Sequence, residues 1–142
     1  MTFKILLPVD GSESSVHAVR HVASMAALVK DLHVHLVHVE SSGDDWRVRR
    51  TLRPEELAEM EQEWGEAVMN PVRAILVAAG IRCTEHMVQG EVPQTIVRLA
   101  SELGCKQIVM GTRGQSALAG LLMGSVATKV LHLADVPVTL VK

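Results

Sequence analysis

The densest chemical signal in the chain is a set of glycines: Gly111 and Gly114 stand three residues apart, and nine residues later Gly124 is followed directly by Ser125. Glycine carries no Cβ, so the main chain can turn sharply or press against a ligand where it occurs, and successive exposed amides then offer N–H donors to an anion. Ser125 precedes a helical stripe of Val126, Val130 and Leu133, and is expected to cap that helix while adding a hydroxyl and amides to the same donor set. A turn and a helix start together make phosphate-binding chemistry. The pattern is neither G-x-x-x-x-G-K-[ST] nor the dinucleotide fingerprint, whose spacing after the second glycine differs. On spacing alone, glycines that serve only packing at a strand end remain the alternative.

The second candidate is Asp10, in Val9-Asp10-Gly11-Ser12. Its carboxylate can cap a helix or, at a strand's carboxyl end, face a ligand. Other reactive side chains form no set. His17 and His21 are one helical turn apart without a third ligand, and His33 and His35 share a strand face without Cys or Asp at ligand spacing, so both pairs read as surface or packing residues. Ser12, Ser14 and Ser15 fit no triad spacing. Arg47, Arg49, Arg50 and Arg53 could close over phosphates, but Asp44, Asp45, Glu55 and Glu56 balance them, and a solvated loop is the expectation. Cys83 and Cys105 show no C-x-x-C spacing and read as idle thiols of a reducing compartment.

The elements that must position these residues follow from periodicity. Residues 3–9, FKILLPV, predict a buried strand, and Ser12 is expected to cap a helix whose stripe runs Val16, Val19, Val22, Ala23, Ala26, Val29. Residues 32–39 alternate as a strand with Leu32, Val34, Leu36 and His38 on one face. After a polar loop, Leu57 to Ala79 predict a long helix that Asn70-Pro71 should kink or restart, closed by Gly80. Residues 81–88 predict a third strand, Gly90-Glu91-Val92-Pro93 open a helix that ends at Gly104, and KQIVMG and PVTLV are the last two strands. Strand–helix alternation implies a parallel sheet covered on both faces. Ligands of such sheets lie beyond the strands' carboxyl ends where the winding reverses, here Val9-Asp10-Gly11 and Met110-Gly111-Thr112.

Composition bounds the function. At 142 residues and 48% hydrophobic content, one domain over residues 1–142 is expected, with an aliphatic core, since there are one Phe, two Trp and no Tyr. A net charge of −2 with mixed signs excludes the electrostatic footprint of a nucleic-acid binder. Ser116 to Ala134 approaches the length of a membrane span and contains Gly120-x-x-x-Gly124, but Lys129 and His132 argue for a buried helix instead. The opening MTFKILLPV has no apolar h-region or cleavage site, so a cytoplasmic protein is expected.

The spacing Gly111-x-x-Gly114, nine residues, Gly124-Ser125 resembles the G-x2-G-x9-G-[ST] signature of the nucleotide-binding branch of the universal stress protein family. KILLPVDGS, HLVHV, VQGEVPQTIV and PVTLVK resemble that family's other stretches in order. The resemblance implies an open, doubly wound α/β fold with a parallel five-stranded sheet in the order 3-2-1-4-5, and ATP held at the switch point. It implies that Asp10 stands near the ribose and the metal-associated phosphates with Pro8 and Val9 beside it, and that Val39 reads adenine through its backbone. Gly111, Thr112, Arg113 and Gly114, following Met110, correspond to the first phosphate loop, and Gly124, Ser125 and Val126 to the second; Gly90 corresponds to a looser position near the ribose. The expected cofactors are ATP and Mg²⁺ or Mn²⁺ bridging the phosphates to Asp10. The expected role is a nucleotide-responsive regulator of stress survival, with a weak ATPase or a nucleotide-free interaction module as alternatives. A homodimer through the uncharged C-terminal strand is also expected, because an unpaired edge is a liability.

Overall fold

Phe3–Pro8 form β1, whose Ile5, Leu6 and Leu7 are wholly buried; each such aliphatic side chain contributes roughly 1.5–3 kcal/mol by leaving water. In the computed structural model, which describes residues 1–41, 51–113 and 123–142, the chain continues through α1 (Glu13–Met25), β2 (Leu32–Glu40), α2 (Pro54–Ala78) and β3 (Arg82–Gln89). It then passes through α3 (Val92–Glu102), β4 (Gln107–Gly111), α4 (Ser125–Leu133) and β5 (Val138–Val141). The strands form one parallel sheet in the order β3-β2-β1-β4-β5. β1 therefore lies between β2 and β4, with Leu6 opposite both His35 and Ile108, and the winding reverses at its carboxyl end.

Period-two alternation divides the core into two layers. Ile5, Leu7, Val34, Leu36 and Val109 pack against Val19 and Val22 of α1 and Val68, Met69, Val72 and Leu76 of α2. On the other face Leu6, Val37, Ile108 and Met110 pack against Ile96 and Leu99 of α3 and Ala127 and Val130 of α4. The interior is aliphatic, as the shortage of aromatic residues requires.

Three local expectations are corrected. Of the kink or restart expected at Asn70-Pro71, the restart does not occur: α2 runs unbroken from Pro54 to Ala78. The carbonyl that loses its partner belongs to Ala67, and both Ala67 and Pro71 are on the exposed side, where water can replace the missing N–H. α1 ends at Met25 rather than Val29; the N–H groups of Leu28 and Val29 both bond to the Met25 carbonyl in a closing turn. Ser125 is not the cap of α4: Gly124 occupies the N-cap position and Ser125 is the first helical residue. Gly80 and Gly104 close their helices at φ 69° and 68°, the left-handed conformation that glycine takes without strain. Gly114, Gly120, Arg47, Arg49 and Arg50 lie outside the described residues. Among the described residues no helix is long and apolar enough to cross a membrane.

Candidate functional site

Two helices start beside the reversal point, and their first turns are built differently. α1 opens with Ser12 at its N-cap, whose Oγ accepts the Ser15 N–H at 3.3 Å. Asp10 stands just before it: its Oδ1 accepts the Ser12 N–H at 2.9 Å, with Gly11 at φ 84° making the tight bend between them. The carboxylate thus braces the Ser12 amide at the carboxyl end of β1, between Val9 and the start of α1.

The segment after β4 closes onto that helix start. The hydroxyls of Ser12 and Ser14 donate to the Arg113 carbonyl at 3.2 and 2.5 Å. Gly111 is required here by contact rather than by backbone angle: a Cβ on it would collide with Ser14 Oγ and lie 2.7 Å from the Ser14 carbonyl carbon. The first glycine of the motif therefore admits α1 against β4.

Thr112 joins this segment to α4. Its N–H donates to the Val141 carbonyl at 2.9 Å, and its carbonyl accepts the Gly124 N–H at 2.6 Å. Its side-chain Oγ1 is buried and has no hydrogen-bond partner, alone in this among the described residues. Such a group costs roughly 1–3 kcal/mol until it meets an acceptor or donor. Gly124 has an ordinary φ of −75°, and no side chain caps α4. Ser125 is exposed, whereas Val126 is half-buried and packs against the second core layer.

The other wall is carried by β1, β2 and the turn after β3. Pro8 and Val9 are buried, and the Val9 N–H donates to the Val37 carbonyl at 2.9 Å. Val39 is half-buried on β2, opposite Val88, and packs with it on the second core layer. The Gly90 N–H donates to the Glu40 carbonyl at 3.0 Å; Gly90 has φ 153°, and a Cβ there would lie 2.6 Å from Thr95 Oγ1. Asp10, Gly111, Thr112, Arg113 and Gly124 thus meet around the reversal point, with Pro8 and Val9 at the end of β1 beside them, while Met110 is 5% exposed and its side chain serves the core.

Away from this crevice, the histidines of β2 pack as the sequence suggests. His35 Nδ1 lies 3.0 Å from His86 Nε2, and the rings of His33 and His35 are 4.4 Å apart. Burial, followed by the neighbouring His33, His86 and Lys4, pushes the His35 imidazole down to about 4, so it stays neutral near neutral pH. Burial pushes both the Cys83 and Cys105 thiols up to about 11, which makes them poor nucleophiles. Among the described residues no group of three His, Cys, Asp or Glu is arranged to hold a metal ion.

The model of the universal stress protein family matches residues 1–142. The chain belongs to this family. Universal stress protein MJ0531 of Methanocaldococcus jannaschii is 30% identical over 139 residues, covering 98% of this chain and 81% of that protein. The solved structure of protein MJ0577, described as a structure-based assignment of biochemical function, superposes with a TM-score of 0.87 at 30% identity, covering 100% of this chain and 96% of that one. A universal stress protein in complex with cAMP superposes with a TM-score of 0.70 at 25% identity, covering 99% and 96%. The sheet order of this universal stress protein is the one expected from the resemblance.

Sequence reasoning passed over three groups at this site. Ser14 holds Arg113 across a separation of 99 residues, the Thr112 hydroxyl is orphaned by burial, and His38 bonds Val9 across 29 residues. The only local signal was for His38, a polar residue on the buried face of an apolar strand.

Proposed function

We propose that this universal stress protein binds an adenine nucleotide at the carboxyl ends of β1 and β4, with ATP as the full-length ligand. The observation that carries the reading is the start of α4. Its N-cap is a glycine, which supplies no side-chain cap, Gly124 is tied to Thr112, and Ser125 is exposed beside it. Uncapped amides with the positive end of a helix dipole suit an anion. The orphaned Thr112 hydroxyl supports the same reading, since a phosphate oxygen is an acceptor it lacks.

In this reading Gly111, Thr112, Arg113 and Gly114 form one side of the phosphate site, and Gly124, Ser125 and Val126 the other. Val39 and Gly90 flank the adenine and ribose, with Pro8 and Val9 beside them. The family member in complex with cAMP supports an adenine nucleotide as the ligand class. Asp10 would share Mg²⁺ or Mn²⁺ with the phosphates. One protein carboxylate is enough for an ion that keeps most of its shell from phosphate and water.

The fold would act as a nucleotide-responsive regulator. Catalysis is not part of the proposal because no water-orienting group is identified. β5 is an edge strand of four half-buried residues, and pairing it with a second copy would remove the exposed edge; sedimentation at micromolar concentration tests that homodimer.

The decisive experiment is thermal unfolding with AMP, ADP and ATP, with and without Mg²⁺. Ligand at ~100 times its dissociation constant adds about 2.7 kcal/mol of stability. No shift with any adenine nucleotide up to millimolar concentration refutes the reading. Native mass spectrometry of the purified protein then identifies the molecule it carries.

A further inference from the structure

The side chain of His38 is 6% exposed by residue and faces only hydrogen-bond acceptors. Its Nδ1 lies 3.1 Å from the Val9 carbonyl and its Nε2 lies 2.8 Å from Glu40 Oε2. A carbonyl and an ionised carboxylate can only accept, so the pair is satisfied only when both ring nitrogens carry hydrogen. A single-proton ring would turn a lone pair toward one of the two oxygens, inside a layer with little water to relieve it.

The packing around the ring keeps that arrangement dry. α2 comes so close at Gly65 that a Cβ there would lie 3.7 Å from His38 Cδ2 and 2.6 Å from Met87 Sδ. The charges on the neighbouring elements are acidic. Glu40 is on the same strand, Asp10 follows Val9, and Glu61 of α2 accepts the side-chain amide of Gln89, the residue opposite Glu40 in register.

The consequence is a continuous tie across three strand ends. Val9 is held at its N–H by Val37 and at its carbonyl by His38; His38 holds the Glu40 carboxylate; the Glu40 carbonyl holds the Gly90 N–H. Those connections run from the residue before Asp10, past Val39, to Gly90. The His38 and Glu40 side chains sit on the opposite face of β2 from Val39, so they can fix its backbone without occupying the crevice.

We propose that His38 is a positioning residue, an imidazolium clamp that fixes the ends of β1, β2 and β3 where the base and sugar of the nucleotide lie. This rests on the nucleotide-binding reading and deepens it. The clamp touches no ligand; it sets the main-chain positions that do.

The test uses the full chain with ¹⁵N-labelled histidine. In the ligand-free protein near neutral pH, both His38 ring nitrogens are expected at imidazolium shifts, and Glu40→Gln is expected to return the ring toward a single-proton form. Affinities for AMP and ATP are expected to fall by the same factor, roughly tenfold in His38→Leu and somewhat less in Glu40→Gln, since losing one such bond is worth about a factor of ten. An equal loss for the two ligands marks an effect on the base and sugar side. If His38→Leu does not fold, Glu40→Gln carries the test, because Glu40 is only half-buried and Gln keeps its size. A neutral His38 ring in the unmodified protein overturns the clamp. So does unchanged affinity in the folded variants, or a loss confined to ATP. Absence of nucleotide binding by the unmodified protein would instead refute the functional reading, together with the role assigned to the clamp there, and the ring spectrum would still decide whether the clamp exists.

Discussion

The two helix starts at the reversal point use the same residue types for opposite ends. At α1, Ser12 satisfies the helix from within, and Ser12 and Ser14 then bind the Arg113 carbonyl, so the turn is closed by protein atoms. At α4, glycine holds the cap position and has no side chain with which to give the bond that Ser12 gives α1. The closed start gives rigidity, and the open one leaves donors for a ligand. A serine or glycine near a helix start therefore does not identify a binding site by its type; what decides is whether the protein has already used the donors.

The largest effect should separate the two glycines. Gly111→Val forces a branched side chain into the Ser14 backbone, and is expected to cost about 3 kcal/mol of stability, or more, in thermal denaturation without ligand. Gly124→Val meets no backbone-angle penalty at φ −75°, so stability is expected to stay within about 1 kcal/mol while ATP affinity, read by calorimetry, falls roughly a hundredfold. Equal loss of stability in both variants would erase the distinction between the two starts.

The serines give smaller contrasts. Ser12→Ala should lower stability by about 1 kcal/mol and leave the affinity of the remaining folded protein nearly unchanged. Ser125→Ala should do the reverse, with stability unaltered and ATP binding weakened roughly fivefold. Should Ser125→Ala destabilise as Ser12→Ala does, α4 is capped through its own serine and is not an open start.

A control lies away from both helices. The His35 imidazole is pushed down to about 4 by burial and its neighbours, whereas an exposed imidazole takes its proton near 6.5. Since the unfolded chain protonates first, stability is expected to decline as pH falls from about 6.5 toward 4, by at most about 3 kcal/mol from this group. His35→Leu should flatten that part of the profile in chemical denaturation while leaving nucleotide affinity at neutral pH unchanged. An unaltered slope in His35→Leu would assign the acid sensitivity elsewhere.

Much of the frame was legible because its signals are local. Gly80 and Gly104 mark helix ends by a backbone conformation that other residues adopt reluctantly, Ser12 caps within three residues, and apolar runs alternating with helical stripes imply a parallel sheet. The family resemblance supplied the strand order. What stayed hidden depends on residues distant in the chain. Gly111 could be recognised as necessary, but only the fold shows that Ser14 is what it must clear. His38 reads as one polar residue in a strand until Val9 and Glu40 are brought to its two nitrogens. The restart expected at Pro71 fails for a related reason: a proline's damage depends on which side of the helix it falls, and that is set by the sheet beneath.

That placement of Pro71 has a mechanical result. Its ring leaves the Ala67 carbonyl without a helical N–H on the solvent side, so any loosening of the helical ladder falls on the outer surface, where water can replace the missing donor. With Val68, Met69, Val72 and Leu76 all packed in the core on the other side, the imino acid that would break a free helix leaves the cover of the sheet intact.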